Sequence, residues 1–160
     1  MGDIDLKKNF LYTIFVFLSF SFIYSQNEFD VALENTGDSH LVIFQNSITG
    51  LDIGDEIGIF DVNGVISTVE AGASANFGEV LVGAGVWEGN QLEIAAIMSI
   101  DLAQFGGPIL GGAVDGNEVT IKVFDASSGL IITPEINIVS GGEFGDLFTV
   151  INVLEFESSS

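Results

Sequence analysis

Four carboxylates lie close together in the segment GLDIGDEIGIFDVNG, which runs from residue 50 to residue 64. They belong to Asp52, Asp55, Glu56 and Asp61, and the amide of Asn63 follows two residues after the last of them. Carboxylate and amide oxygens are the ligands that calcium prefers in proteins. The segment therefore predicts a calcium site, although its spacing does not follow the EF-hand pattern.

The same residue types have a second use that needs no metal ion. Asp and Asn side chains accept hydrogen bonds from neighbouring backbone N–H groups, which makes them frequent beside glycine in turns. In this interpretation Asp52 and Asp55 stabilise a turn, and Glu56 begins a strand with its carboxylate in water. A second acidic group presents the same alternatives, with a hairpin turn favoured; it consists of Asp115, Asn117 and Glu118.

Catalytic chemistry has few candidate residues. The chain contains no cysteine, which excludes thiol chemistry, and its single histidine is His40, at the start of a predicted strand. A Ser-His-Asp arrangement would have to use that residue. Acids are so numerous that no carboxylate pair is diagnostic of a glycosidase, and the segment GGPILGG lacks the lysine of a phosphate-binding loop. We therefore predict that the protein is not an enzyme.

Carbohydrate binding would need exposed aromatic rings with a polar edge. Trp87 is the single tryptophan and lies at a predicted hairpin tip beside Glu88 and Asn90, while both tyrosines precede residue 25. Trp87 as a cover for one end of the core is the simpler interpretation. A small secreted carbohydrate-active protein is retained as an alternative.

The first 25 residues predict a secretory signal peptide. Lys7 and Lys8 form a short basic region, an apolar run covers residues 10–24, and Ser25 precedes the expected cleavage before Gln26. The apolar run is shorter than the roughly 20 residues of a membrane-spanning helix. We expect a protein that is secreted or displayed on the cell surface, with no membrane span in the mature chain.

Net charge excludes several classes of partner. The chain has 23 acidic and three basic residues; Asp3, Asp5 and two lysines leave with the signal peptide, so that 21 acids face Lys122 alone. Such an excess of negative charge repels nucleic acid and anionic membranes and attracts cations. The absence of cysteine also means that no disulfide stabilises the fold.

Short apolar runs alternate with turn residues through the mature chain, and its many glycines disfavour helices. This spacing predicts an all-β fold, a single antiparallel β-sandwich of the jelly-roll or immunoglobulin-like type with about nine strands, preceded by the signal peptide. The predicted strands cover residues 29–35, 40–46, 56–60, 65–70, 79–87, 91–100, 118–125, 130–140 and 147–156.

Three local signals refine this prediction. The dipeptide Asn63-Gly64 is typical of a type I′ hairpin turn, which would separate the third and fourth strands. Pro134 predicts an edge strand or a bend within residues 130–140. Residues 99–105 are the one stretch that favours a helical turn.

Four segments occur in an order that is similar to a module of secreted bacterial proteins. They are NTGDSHLVIFQNSITGLDIGDEIGIFDVNGVI, GEVLVGAGVWEGNQLEI, SIDLAQFGGPILGGAVDGNEVTIKVFD and GEFGDLF. The proteins that the chain resembles come from marine Bacteroidetes-like and Marinimicrobia-like lineages, carry a GDEIGVFD-type motif and often place it before a type IX secretion sorting domain. The resemblance implies export and a β-sandwich, and it implies no activity. Many of these proteins have Trp where this chain has Phe124.

Together these observations predict a non-enzymatic extracellular β-sandwich module of a secreted or cell-surface bacterial protein, with an adhesion or structural-spacer role and calcium as a stabilising ion. The expected partner is a cell-surface or extracellular protein or polysaccharide. The alternative is a self-assembling subunit of an extracellular fibre or layer, joined through strand edges at residues 80–87 or 148–156. Residues 1–25 form the signal peptide, residues 26–156 the domain, and residues 157–160 begin a polar linker or tail, which indicates a fragment of a longer gene product.

Overall fold

The computed structural model describes residues 27–156. The predicted signal peptide and the polar tail lie outside the described residues. Within residues 27–156 the chain forms ten strands and one 3₁₀ helix, and none of its helical segments is long and apolar enough to cross a membrane. The strands are β1 (Ser39–Phe44), β2 (Glu56–Val65), β3 (Phe77–Val86), β4 (Leu92–Ile97), β5 (Ile100–Asp101), β6 (Ile109–Leu110), β7 (Thr120–Asp125), β8 (Leu130–Ile132), β9 (Glu135–Ser140) and β10 (Thr149–Glu155).

Two four-stranded sheets pack face to face, which confirms the predicted β-sandwich. Sheet A has the strand order β4-β1-β10-β9, sheet B has the order β3-β2-β7-β8, and β5 and β6 form a separate small ribbon. Neighbouring strands are antiparallel except β1 and β10, which pair in parallel. Strand β10 therefore lies inside sheet A between two partners, so the predicted free edge at the terminal strand is wrong, while β3 is an edge strand of sheet B.

The core follows from the two-residue period of the strands, because alternate side chains of a strand point to the same face of a sheet. Val42 and Phe44 on β1 and Ile57 and Ile59 on β2 are completely buried between the sheets. The residues between Ile57 and Ile59 and on either side of them therefore lie on the outer face of sheet B. Because the chain has no cysteine, the burial of these apolar side chains stabilises the fold without the help of disulfides.

The predicted hairpin at Asn63-Gly64 is wrong, because β2 continues through both residues to Val65. Neither residue adopts the positive φ that a type I′ turn requires. The pairing with β3 instead shifts register between Asp61 and Gly64. A Cβ on Gly64 would lie 2.6 Å from Val80 Cγ1 and 2.9 Å from the carbonyl oxygen of Gly112, so this glycine allows two backbones to approach closely.

The predicted strand at residues 29–35 is also wrong. This segment contains no strand and instead crosses the outer face of sheet B; we call residues 27–34 the strap. The ring of Phe29 lies edge-on to Phe60 with 5.6 Å between ring centroids, and it occupies the space that the missing side chain of Gly58 leaves free. The strap therefore buries apolar surface on a face that strand alternation would expose to water.

The predicted strand at residues 65–70 is wrong as well, because β2 ends at Val65 and only an isolated bridge at Val69 follows. The predictions for Pro134 and for residues 99–105 agree with the structure. Strand β8 ends at Ile132 and β9 begins at Glu135 in the other sheet, so the chain bends at Pro134 as expected. The helical tendency near residues 99–105 produces only the 3₁₀ helix Ala103–Phe105, and the two-residue strand β6 follows it.

The two sheets meet closely along the side formed by β3 and β4. A Cβ on Gly83 of β3 would lie 2.9 Å from Ile94 Cγ2 and 3.2 Å from the backbone Cα of Ala96. Gly85 faces the side chains of Ile94 and Leu92 in the same way. On this side of the sandwich the two sheets are therefore in direct contact, because the glycines of β3 let β4 approach closely.

Substitution of Gly83 should show how strongly the fold depends on this approach. We expect Gly83→Ala to lower the free energy of unfolding by about 1–3 kcal/mol, because backbone atoms of β4 must move to accept the methyl group. Gly78→Ala is the matched control on the same strand, since its added Cβ would make only an ordinary contact, 3.4 Å from Ile66 Cγ2. Urea unfolding of both variants measures the difference, and equal stabilities would contradict the packing argument.

Candidate functional site

An open cleft of about 440 Å³ lies between the sheets at the end where β2 begins and β7 and β10 end. Three carboxylates line it, from Asp52, Asp55 and Asp125. Its apolar walls are formed by four side chains of the two sheets, those of Val123, Ile132, Leu154 and Phe156. The structure thus brings two of the four predicted site residues, Asp52 and Asp55, to one cleft.

Asp55 connects three segments of the chain at this cleft. Its carboxylate accepts a hydrogen bond from the Asp52 N–H at 2.8 Å and another from the Ala126 N–H, after β7, at 3.1 Å. Its backbone carbonyl accepts the Trp87 N–H at 2.8 Å, beyond the end of β3. The carboxylate is buried, and backbone donors occupy both of its oxygens, as the turn interpretation expects for a capping Asp.

Asp125 is the residue of this cleft that the sequence predictions missed. Its carboxylate accepts hydrogen bonds from the hydroxyl and N–H groups of both Ser127 and Ser128. These hydrogen bonds, led by the Ser127 hydroxyl, lower the pKa of Asp125 to about 2. The signal was present in the segment DASSG, where Asp precedes two serines at the spacing of a side-chain-capped turn. The group stays ionised well into the acid range and keeps a fixed negative charge at the cleft.

Glu56 has a different partner, because it begins β2 on the outer face of sheet B. Its two carboxylate oxygens accept the N–H groups of Glu28 at 3.1 Å and Phe29 at 3.0 Å. The side chain is buried, whereas the turn interpretation had placed it in water. Glu56 therefore holds the strap on the sheet.

Asp61 lies farther along β2 and has no exposed surface. Its carboxylate accepts the N–H groups of Asn63 and Val114, both at 2.8 Å, and both of its oxygens lie 2.9 Å from the side-chain amide nitrogen of Asn117. Asn117 also donates to the backbone carbonyl of Asn63 at 3.2 Å. The acidic segment at residues 50–64 and the group of Asp115, Asn117 and Glu118 thus meet through Asp61 and Asn117.

The four predicted ligands are therefore distributed over three hydrogen-bonded sites. Asp52 and Asp55 share the cleft, Glu56 holds the strap, and Asp61 holds the segments that contain Val114 and Asn117. Within residues 27–156 no group of three or more His, Asp or Glu side chains is arranged to hold a metal ion. Calcium binding remains a prediction.

His40 and Trp87 are both buried, with only 3% of each residue exposed. Nε2 of His40 lies 2.9 Å from Oγ1 of Thr149, and the ring stacks edge-on against Phe144. Nδ1 of His40 has no hydrogen-bond partner within the described part of the chain. Burial lowers the pKa of His40 below 6.5, while the backbone and the charge of Asp146 oppose that shift. His40 is thus favoured in its neutral form inside the fold.

Searches against protein-family models, curated proteins and solved structures found no match to this chain.

Loss of the Asp61 charge should destabilise the domain strongly. We expect Asp61→Asn to lower the free energy of unfolding by about 2–3 kcal/mol, because a neutral amide cannot accept all the N–H donors directed at the carboxylate. Asp38→Asn serves as the control, since Asp38 is exposed and lies directly before β1. Chemical unfolding at neutral pH measures both variants, and a difference below the experimental error would contradict the structural role of Asp61.

Acidification should destabilise the protein through His40. The pKa of His40 is lower in the folded chain than its usual 6.5, so the unfolded chain takes up the proton first as the pH falls. Stability should therefore decrease below about pH 6.5, by at most about 1.4 kcal/mol per pH unit from this one group.

His40→Gln isolates this contribution, because Gln retains a polar group near Thr149 and does not titrate. Between pH 7.5 and pH 5.5 the parent protein should lose stability relative to this variant, as measured by urea unfolding at each pH. Parallel pH profiles for the two proteins would show that His40 does not control the acid response.

Proposed function

We propose that the protein is a non-enzymatic extracellular β-sandwich module of a secreted or cell-surface bacterial protein, with an adhesion or structural-spacer role. One observation supports this proposal most strongly: each buried carboxylate that could have been a catalytic group is hydrogen-bonded to backbone N–H groups. Asp55, Glu56 and Asp61 all belong to this class. These hydrogen bonds hold separate segments of the chain together. This is a structural role, as expected for a spacer or adhesion module.

The chemistry of these groups also argues against a catalytic carboxylate pair. A general acid or nucleophile must reach the substrate with a free oxygen. Both oxygens of Glu56 accept strap N–H groups, and both oxygens of Asp61 face the amide of Asn117. Use of either group on a substrate would first break contacts that hold the structure together.

Calcium stabilisation forms part of the same proposal, and the cleft is the region that supports it. Asp52 is exposed there, beside the ionised Asp125. A site with a Kd of ~1 mM would stabilise the fold by about 0.4 kcal/mol at ~1 mM calcium and by about 1.4 kcal/mol at ~10 mM calcium. Relief of repulsion between neighbouring carboxylates would contribute to that affinity.

Thermal unfolding in calcium chloride and in sodium chloride of equal ionic strength tests the calcium proposal. We expect the larger rise in melting temperature with calcium, and we expect Asp52→Asn to remove most of the difference. Asp52 is the better residue to substitute in this test, because Asp55→Asn would also disturb two backbone hydrogen bonds. Asp38→Asn, at the opposite end of β1, should retain the calcium effect. Equal responses to the two salts would remove calcium from the proposal.

Export and the absence of catalysis need separate measurements. Mass spectrometry of the protein recovered from the culture medium or cell surface of the producing bacterium should find an N-terminus at or near Gln26. A product that is confined to the cytoplasm would contradict the extracellular assignment. Release of reducing sugar from polysaccharides by the purified protein, abolished by an Asp→Asn substitution at the cleft, would overturn the non-enzymatic assignment.

A further inference from the structure

One side of the sandwich is open, in contrast to the side that β3 and β4 close. Strand β8 has only three residues and pairs with Val123–Asp125 of β7. No strand in residues 27–156 pairs with Thr120–Lys122 of β7 on that side. After β8 the chain crosses at Pro134 to sheet A, where β9 is the edge strand. The sheets therefore leave a gap between the first half of β7 and β9. The segment after β9 closes one end of this gap, because the Val119 N–H donates to the Gly142 carbonyl at 2.9 Å and Glu118 forms a β-bridge with Glu143.

Apolar side chains line this gap. A second opening of about 380 Å³, separate from the cleft described above, lies along this gap. It is lined by Val119, Ile136 and Ile138. Ile136 and Ile138 belong to β9 and are only half-buried, although they pack against the core. An added strand beside β9 would cover both side chains, because alternate residues of that strand would point into the same gap.

The edge of β9 is only partly protected against strand addition, because Pro134 precedes it and Glu135 begins it but no strand of the described residues pairs with its outer side. Natural edge strands are commonly protected by Lys, by Pro or by a covering segment. Within β9, whose sequence is EINIVS, there is neither Lys nor Pro, and Val139 is 52% exposed. Its two register shifts lie in the pairing with β10.

Charge selects the kind of segment that fits this edge. Glu118 and Glu143 flank the second opening, and Glu135 begins β9. Lys122, the only basic residue of the described chain, binds Glu79 at 2.6 Å on the outer face of sheet B, above the ring of Phe60. A second copy of this chain would bring the same negative charges to the edge and be repelled. A segment that carries Lys or Arg would be attracted.

We propose that the free edge of β9 binds an extended segment of a partner protein in which apolar residues alternate with Lys or Arg. The segment adds to sheet A by backbone hydrogen bonding. Its apolar residues fill the gap beside Ile136 and Ile138, and its basic residues lie near Glu118 and Glu143. The inference concerns the isolated domain and does not depend on whether the protein is exported.

Synthetic peptides test this inference directly. An eight-residue peptide of alternating Val and Lys is the probe, and peptides of alternating Ser and Lys or Val and Glu have the same length. Isothermal titration calorimetry should show binding of the Val-Lys peptide at least tenfold tighter than of the Ser-Lys peptide, and no binding of the Val-Glu peptide. Amide NMR shifts on addition of the Val-Lys peptide should concentrate in β9 and the first half of β7.

A matched pair of double variants separates a local site from general charge attraction. Glu118→Gln with Glu143→Gln should weaken Val-Lys binding about fivefold, as expected for the loss of two exposed ion pairs. Glu88→Gln with Glu93→Gln makes the same change in net charge on the β3–β4 side, where both residues are exposed, and should leave binding nearly unchanged. Equal weakening by the two pairs, shifts located on β3 or β4, or equal binding of the Ser-Lys peptide would overturn the inference. Dimerisation of the protein through β9 in sedimentation experiments would also overturn it.

Discussion

Negative charge without available counter-ions is the constraint on which the rest of this structure depends. Outside the predicted signal peptide, Lys122 is the only basic residue, and Glu79 already binds it. A buried carboxylate in this domain therefore has no side-chain cation to pair with. Since an unpaired buried charge is costly, each buried carboxylate is instead surrounded by N–H donors, mostly of the backbone.

The hydrogen bonds to the buried carboxylates also hold in place the parts of the chain that are not strands. Asp55 joins the loop before β2 to the turn after β7, Glu56 holds the strap, and Asp61 fixes the segments around Val114 and Asn117. Asp55 directly precedes β2, Glu56 begins it and Asp61 lies within it. Strand β2 is thus both the centre of sheet B and the element that attaches distant segments to the core, a role that disulfides often have in secreted domains.

The extent to which sequence predicts this fold follows from the range of each interaction. Strand positions could be predicted because the apolar alternation of β1 or β7 is local. The strap could not, because the residues that bind Phe29 lie about thirty positions away, at Gly58 and Phe60. The Asn63-Gly64 signal failed because Asp61 accepts the Asn63 N–H and the backbone of Gly112 fills the space beside Gly64, so that tertiary contacts override the local turn preference. The acidic segment was recognised as unusual, but the donors that satisfy it lie in other parts of the sequence.

The same excess of charge has an opposite effect at the surface. Carboxylates inside the fold are satisfied by N–H donors, whereas exposed ones such as Glu118 and Glu143 face water with no cation of this chain beside them. Their repulsion opposes contact between copies and protects strand edges that carry no Lys or Pro of their own. A charge that discourages self-association leaves β9 accessible to a segment of opposite charge, so the composition that keeps copies of the domain apart also determines which partner the edge of β9 selects.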